Sequence, residues 1–331
     1  PQTPELPAIR QSPPAQLPAA ANHSPNPYLS LPQALCLPQA TNGGPPGPRG
    51  KPRRVSDANP PITEEATFKS GREVLFSRVL RPAAPPWARL ALCHGYGEHS
   101  GRHLPFLRWL AERGVECHAL DLRGQGRSTG RRGYVTRWEE YVEDFTTFLQ
   151  EIRFTGEGPD GPPRFLLGHS HGALVVLAAV LQGLPGTSGL VLTAPYLRSC
   201  MEVPRWKRKL AYLVNPIFPT LALPSGLKED WMSSDPEMVR DSREDALNVR
   251  VATVRWYVTA HAEQARLFRR APELRLPLLV LTGGADPISD PQAVREFVQA
   301  AGSADKTLEF YPDLLHELFR EACREELFAT T

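Results

Sequence analysis

The sequence predicts an α/β protein, a mostly parallel, doubly wound sheet with helices on both faces and a helical cap inserted late in the chain. Three observations predict it. Apolar strand-like runs alternate with helical patterns from about residue 62 onward, which implies parallel strands covered on both sides. The alternation breaks between residues 196 and 272 and then resumes, so an insertion sits inside the sheet order. One strand-to-helix turn carries Gly168-His169-Ser170-His171-Gly172, a serine bracketed by glycines between Arg164-Phe165-Leu166-Leu167 and the apolar run Ala173–Val180.

Taken in order, the first 54 residues are a different material from the rest. They are crowded with proline, hold Glu5 as their sole acid, and end in Arg49, Lys51, Arg53 and Arg54. Such a composition buries too little apolar surface to offset the entropy of ordering, so residues 1–54 are expected to be disordered. A polyproline ligand or a basic tether is one reading. An idle tail, or a product that truly begins near Val55, fits better, because no repeated P-x-x-P spacing stands out. Thr67-Phe68-Lys69 and Val74–Val79 read as a hairpin around Ser70-Gly71-Arg72. Parallel strands are expected at Leu90–Cys93, Val115–Leu120, Phe165–Leu167, Leu190–Thr193, Leu278–Leu281 and Thr307–Tyr311. Tyr141, Phe145, Phe148, Leu149 and Ile152 share one face of a helix between them. The core thus spans 55–195 and 273–331 around a cap at 196–272, with a terminal stretch expected beyond Thr331, which falls inside a helical pattern.

Composition excludes several classes. A hydrophobic share of 41% supports a sizeable core, and a net charge of +2 gives no nucleic-acid footprint. No apolar run is long enough to span a bilayer. Five scattered cysteines (36, 93, 117, 200 and 323) suit a reducing compartment, and no signal sequence opens the chain. The expected location is cytoplasmic, with room for peripheral contact with membrane. Gly124-x-Gly126 lacks a third glycine and opens no helix, so no cofactor is expected. His94, His99 and His103 are spread over a loop with no fourth ligand, so no metal is expected either.

A serine hydroxyl is a weak nucleophile and needs a base, which in turn needs an orienting acid. On a strand-turn-helix elbow the partners follow in the order acid, then histidine. Asp286 lies in the loop after Pro277–Leu281, and His316 is the one histidine after it. Asp290 is the rival acid, but Asp290-Pro291 reads as a helix cap and first helical residue. His261 lies earlier, in a helical pattern, and is expected to be a surface or packing residue. The amides of His171 and Tyr96 are the expected oxyanion donors, with Gly95 and Gly97 letting that loop curl inward. Asp121, Arg123 and Ser128 are expected to brace neighbouring loops.

Five motifs, His94-Gly-Tyr-Gly-Glu98-His-Ser-Gly-Arg102, Asp121-Leu-Arg123-Gly-Gln-Gly-Arg-Ser128, Gly168–Gly172, Gly284-Ala-Asp286 and Leu315-His316-Glu317, together resemble the monoacylglycerol lipase and lysophospholipase branch of the α/β-hydrolases, which is often catalogued with serine aminopeptidases. The likeness runs from about Ile62 to the end. It implies an α/β-hydrolase fold, a Ser170–His316–Asp286 triad, support from His94, Gly95, Glu98, Asp121 and Arg123, and a lipid-like ester as substrate. Two departures stand out. His171 replaces a methionine or other apolar residue, and Tyr96 replaces a small one, which would crowd the pocket floor.

In the cap, Trp206, Leu210, Leu213, Val214 and Ile217 fall at helical spacing beside Arg205, Lys207, Arg208 and Lys209, with Pro216 and Pro219 ending the helix. A basic, aromatic-bearing amphipathic helix suits a lipid surface. The plainer alternative has its apolar face packed on the core. The expected activity is a serine esterase acting on a monoacylglycerol or lysophospholipid. A peptidase or thioesterase on the same scaffold is the rival, and a non-catalytic binding module is disfavoured because all three triad members are present.

Overall fold

In the computed structural model, which describes residues 60–154 and 161–331, the strands are, in chain order, β1 (Ile62–Ser70), β2 (Glu73–Arg81), β3 (Ala88–Cys93), β4 (Val115–Leu120) and β5 (Arg164–His169). They continue with β6 (Gly189–Thr193), β7 (Ala222–Pro224), β8 (Val251–Thr253), β9 (Leu278–Gly283) and β10 (Lys306–Tyr311). The helices are α1 (Leu104–Ala111), α2 (Glu139–Glu151), α3 (His171–Leu181), α4 (Arg205–Val214), α5 (Pro236–Glu244), α6 (Val254–Arg270), α7 (Pro291–Ala300) and α8 (Arg324–Thr330). The expectation for residues 1–54 lies outside the described residues.

Eight strands form one sheet in the order β1-β2-β4-β3-β5-β6-β9-β10, with β1 and β2 antiparallel and the rest parallel from β4 onward. All six expected parallel strands are there. The hairpin is longer than its central residues suggested, because β1 begins at Ile62. Ile62–Thr67 is exposed on both faces, as an edge strand rich in glutamate can be, so it lacks the apolar alternation that marks a strand in sequence.

The connectivity runs from β3 outward to β4, then returns across β3 to β5, and this reversal places a crevice at the carboxyl ends of β3 and β5. β3 and β4 are buried at every residue, as central strands covered on both faces must be. One core cluster joins α2, α3, α6 and α7 on one face; the other joins α1 and α8 on the opposite face. α3 is apolar nearly all round because it lies between the sheet and a second layer of helices, with no residue from His171 to Ala179 exposed. α2 buries Tyr141, Phe145, Phe148 and Leu149, the face read from its spacing.

The stretch 196–272 carries α4, a two-stranded ribbon of β7 and β8, α5 and α6. Its last helix behaves as core: Trp256, Ala260 and Leu267 of α6 join the same cluster as α3. α4 ends at Val214, before Pro216, but its apolar face does not pack on the core. Trp206, Leu210 and Leu213 are 64%, 49% and 72% exposed. Among the described residues no helix is long and apolar enough to cross a membrane.

Candidate active site

Ser170 sits at the tip of the β5-to-α3 turn with φ 51° and ψ −115°, a backbone conformation that a side-chain-bearing residue holds only under strain. The turn closes only with glycine on either side. A Cβ on Gly168 would lie 2.5 Å from the Ala173 Cα, and one on Gly172 would strike the carbonyl oxygens of Cys93 and His94. The strain is balanced by burial of the helix that follows, and it lifts the serine hydroxyl over the end of the sheet.

The three residues expected to act together do meet. His316 Nε2 lies 2.9 Å from Ser170 Oγ, and His316 Nδ1 lies 2.7 Å from Asp286 Oδ2. All three are buried. Asp286 Oδ1 accepts from the amides of Ile288 and Ser289 at 2.8 and 3.0 Å, which fixes the carboxylate toward the histidine. Burial alone would lower the His316 pKa, but the Asp286 carboxylate raises it above the ordinary histidine value. Asp290 caps α7 instead, accepting from Gln292 N and Ala293 N, with Pro291 as the first helical residue. His261 lies on α6, 3.1 Å through Nδ1 from the Tyr212 hydroxyl, away from the triad.

The loop after β3 forms the opposite wall. Glu98 Oε1 accepts from Gly95 N at 2.5 Å and lies 3.1 Å from His103 Nε2. Burial opposes the charge on Glu98, but His103 and His169 beside it hold its carboxyl well below the usual range. His94 accepts from Leu122 N at Nε2 and donates from Nδ1 to Gly95 O at 2.7 Å, tying this loop to the one after β4. Gly97, with φ +81°, has its amide on Gln125 Oε1 and its carbonyl on Val249 N. The Tyr96 amide, between these anchored neighbours, donates to no acceptor among the described residues. His171 opens α3, so its amide has no carbonyl one turn back to meet.

Asp121 and Arg123 tie neighbouring segments together. Asp121 accepts from Ser100 N, Ser100 Oγ and Arg127 N at 2.6–2.8 Å, and Ser128 Oγ donates to its carbonyl. Arg123 grips Asp144 with two hydrogen bonds at 2.6 and 2.7 Å. The three loop histidines are engaged separately: His94 by backbone, His99 with Asp245 at 2.8 Å, and His103 with Glu98. No group that could hold a metal ion occurs among the described residues.

The two departures resolve differently. The His171 ring is fully buried against the edges of Trp138 and Tyr141, at 5.0 and 4.9 Å between centroids. Burial lowers its pKa to about 3, so it brings no charge to the site at neutral pH. Tyr96 turns toward the cap, stacking on Trp256 at 3.8 Å and donating from its hydroxyl to Val251 O at 2.7 Å. The bulky residue is therefore an anchor between the loop after β3 and β8.

Several supporting contacts within these motifs had no legible signal. Arg102 makes two hydrogen bonds to Glu317, at 2.8 and 2.6 Å, joining the Glu98 loop to the His316 loop across 215 residues. His169 Nδ1 lies 3.0 Å from Thr193 Oγ1, and burial lowers its pKa to about 4. Glu317 N donates to Met232 O, so the cap also steadies the histidine loop. Ser170, His316, Tyr96 and His171 all border one cavity of about 490 Å³ roofed by the cap.

A buried serine, histidine and aspartate in hydrogen-bonded sequence, beside two amides and a roofed cavity, can perform nucleophilic acyl transfer. Residues 84–322 match the model of the serine aminopeptidase, S33 family. The chain is 32% identical over 250 residues to phospholipase YtpA of Bacillus subtilis, covering 73% of this chain and 93% of that protein. It is 28% identical over 280 residues to human monoglyceride lipase, covering 82% and 88% respectively. The crystal structure of Paleococcus ferrophilus monoacylglycerol lipase superposes with a TM-score of 0.70 at 28% identity, covering 77% of this chain and 96% of that one. Sequence, fold and site geometry thus agree that the chain belongs to the serine aminopeptidase S33 family of α/β-hydrolases.

Proposed function

We propose that this protein is a serine hydrolase that cleaves carboxylic esters of lipid-like substrates, a monoacylglycerol or lysophospholipid, through an acyl-enzyme. The Ser170–His316–Asp286 hydrogen-bond chain, bordering a cavity with apolar walls, carries the reading. Ser170 Oγ bonds to the ester carbonyl carbon while its proton passes to His316 Nε2. Asp286 stabilises the imidazolium, and the Tyr96 and His171 amides hold the oxyanion. The ester C–O bond then breaks, and His316 returns the proton to the leaving alcohol. Water, deprotonated by the same histidine, attacks the acyl carbon; the acid is released and Ser170 regains its proton.

The names of the relatives support an ester of a lipid. The charges in the cavity also favour it over an aminopeptidase substrate, whose free ammonium needs a carboxylate with no other partner. Glu98, Glu229 and Glu317 border the cavity, and each is already paired with arginine or histidine. The exposed face of α4, with Trp206, Leu210 and Leu213 continued by Ile217 and Phe218, suits transient contact with a membrane or micelle surface.

A fluorophosphonate probe tests the nucleophile: it labels Ser170 stoichiometrically, and Ser170→Ala loses labelling and roughly 10⁶ in kcat. Turnover of monoacylglycerol, lysophospholipid, aminoacyl amide and thioester substrates, compared side by side, tests the class. Faster cleavage of an aminoacyl amide or a thioester than of any lipid ester would overturn the assignment.

A further inference from the structure

The cap helix α4 is mounted inside out. Trp206, Leu210 and Leu213 face away from the protein, while Arg208 and Ala211 on the opposite side of the helix, and Lys207 on its flank, border the cavity that holds Ser170. Ala211 is small enough to leave that side open. The walls around it are largely apolar, with Met201, Val203, Leu223, Leu227 and Val249 among them. Lys207 is exposed and Arg208 half-buried, so both charges stay hydrated at the cavity edge and are available to an anion entering it.

The other arginines bordering this cavity are already neutralised. Arg102 is held by Glu317, Arg198 by Asp290 and Glu296, and Arg250 by Glu229. Among the described residues neither Lys207 nor Arg208 has a carboxylate partner; Lys207 rests over the Trp206 ring, 5.5 Å from its centroid. The residues around them add donors, not acids. Tyr257 and His261 of α6 border the cavity too, and both feel the Arg208 charge. The His261 pKa is lowered by burial and then by Arg208, so the ring is neutral at physiological pH. Its Nδ1 lies 3.1 Å from the Tyr212 hydroxyl, and in the tautomer in which that hydroxyl donates the ring proton is on Nε2.

We propose that this cavity accepts lipid esters bearing a phosphate headgroup, and that Arg208 and Lys207, with Tyr257 and His261 beside them, hold the phosphate. A guanidinium, an ammonium, a phenol and an imidazole N–H supply donors on one side, which matches the several acceptor oxygens of a phosphate. A neutral glycerol headgroup would leave both cations unpaired. The inference rests on the lipid-ester reading above and chooses, within it, the phosphate-bearing class.

The test compares two monomeric substrates, 1-octanoylglycerol and 1-octanoylglycerol 3-phosphate, each below its aggregation limit. The wild type should prefer the phosphate ester in kcat/KM. The Lys207→Gln/Arg208→Gln variant should lower that preference by roughly tenfold or more, since charge-assisted hydrogen bonds to phosphate are lost. Lys207→Arg/Arg208→Lys should keep most of it. An unchanged preference in the glutamine variant overturns the proposal. So does an equal loss on both substrates with a lowered Tm, which would mean the pair supports the cap. An unchanged preference with weakened binding to phosphatidylglycerol vesicles would assign the cations to the bilayer instead. If the wild type cleaves neither octanoyl ester but still reacts with the fluorophosphonate, the lipid-ester reading itself falls and this proposal falls with it.

Discussion

His171→Met isolates one buried titratable group without disturbing the chemistry. Among the described residues neither ring nitrogen of His171 has a hydrogen-bond partner, and the ring is fully buried among aromatic side chains. Its pKa is about 3 when folded and near the ordinary histidine value of about 6.5 when unfolded. The sign follows directly: the unfolded chain binds a proton that the folded chain refuses, so stability is full above about pH 6.5 and falls as pH drops toward 3. At about 1.4 kcal/mol per pH unit, this one group removes about 2 kcal/mol between pH 7.5 and pH 5. Methionine has a similar volume, makes favourable sulfur–aromatic contacts and leaves no polar atom unpaired. The variant should therefore be no less stable than wild type at pH 7.5, and should gain about 2 kcal/mol on it at pH 5. Urea unfolding at the two pH values measures the difference. His94 and His169, buried with lowered pKa values, are common to both proteins and cancel. Since the proposed oxyanion contact of His171 is its backbone amide, which methionine keeps, kcat should stay close to wild type. Equal acid sensitivity in the two proteins would refute the reasoning, because it would mean that the His171 ring finds a proton acceptor in the folded state.

Asp286→Asn should cut kcat by roughly 10⁴, because the amide stabilises the wrong His316 tautomer. Asp290→Asn should change it little, since asparagine caps α7 as well; steady-state kinetics on a soluble ester separates the two. The kcat/KM profile should rise with pH as His316 loses its proton, with its acid limb above the ordinary histidine pKa, and Asp286→Asn should move that limb downward. Trp206→Ser/Leu213→Ser should weaken turnover of aggregated long-chain substrates while preserving hydrolysis of p-nitrophenyl acetate; equal losses with earlier melting would show that α4 is needed for folding.

The sequence determined the sheet, its parallel sense, the strained serine and the two residues, Asp286 and His316, that the fold brings to it. Each rests on local pattern: alternating strand and helix periods, two glycines around Ser170, and the chain order of Asp286 and His316. It also located α4, since the spacing of Trp206, Leu210 and Leu213 is a property of the helix alone. Which way that helix faces was decided by the tertiary structure, because Lys207 and Arg208 border the cavity only once α6 packs beside them. The same holds for α6 itself. It lies inside the inserted stretch 196–272, yet Trp256, Ala260 and Leu267 fill the layer over α3. Glu98, Arg102 and Glu317 form one buried network whose members lie up to 219 positions apart, and Tyr96 reaches Val251 across 155. Periodicity reports the surroundings of a residue within a few turns of its own element. Ion pairs and cap anchors between distant loops depend on how those elements are assembled, and only the folded chain sets that geometry.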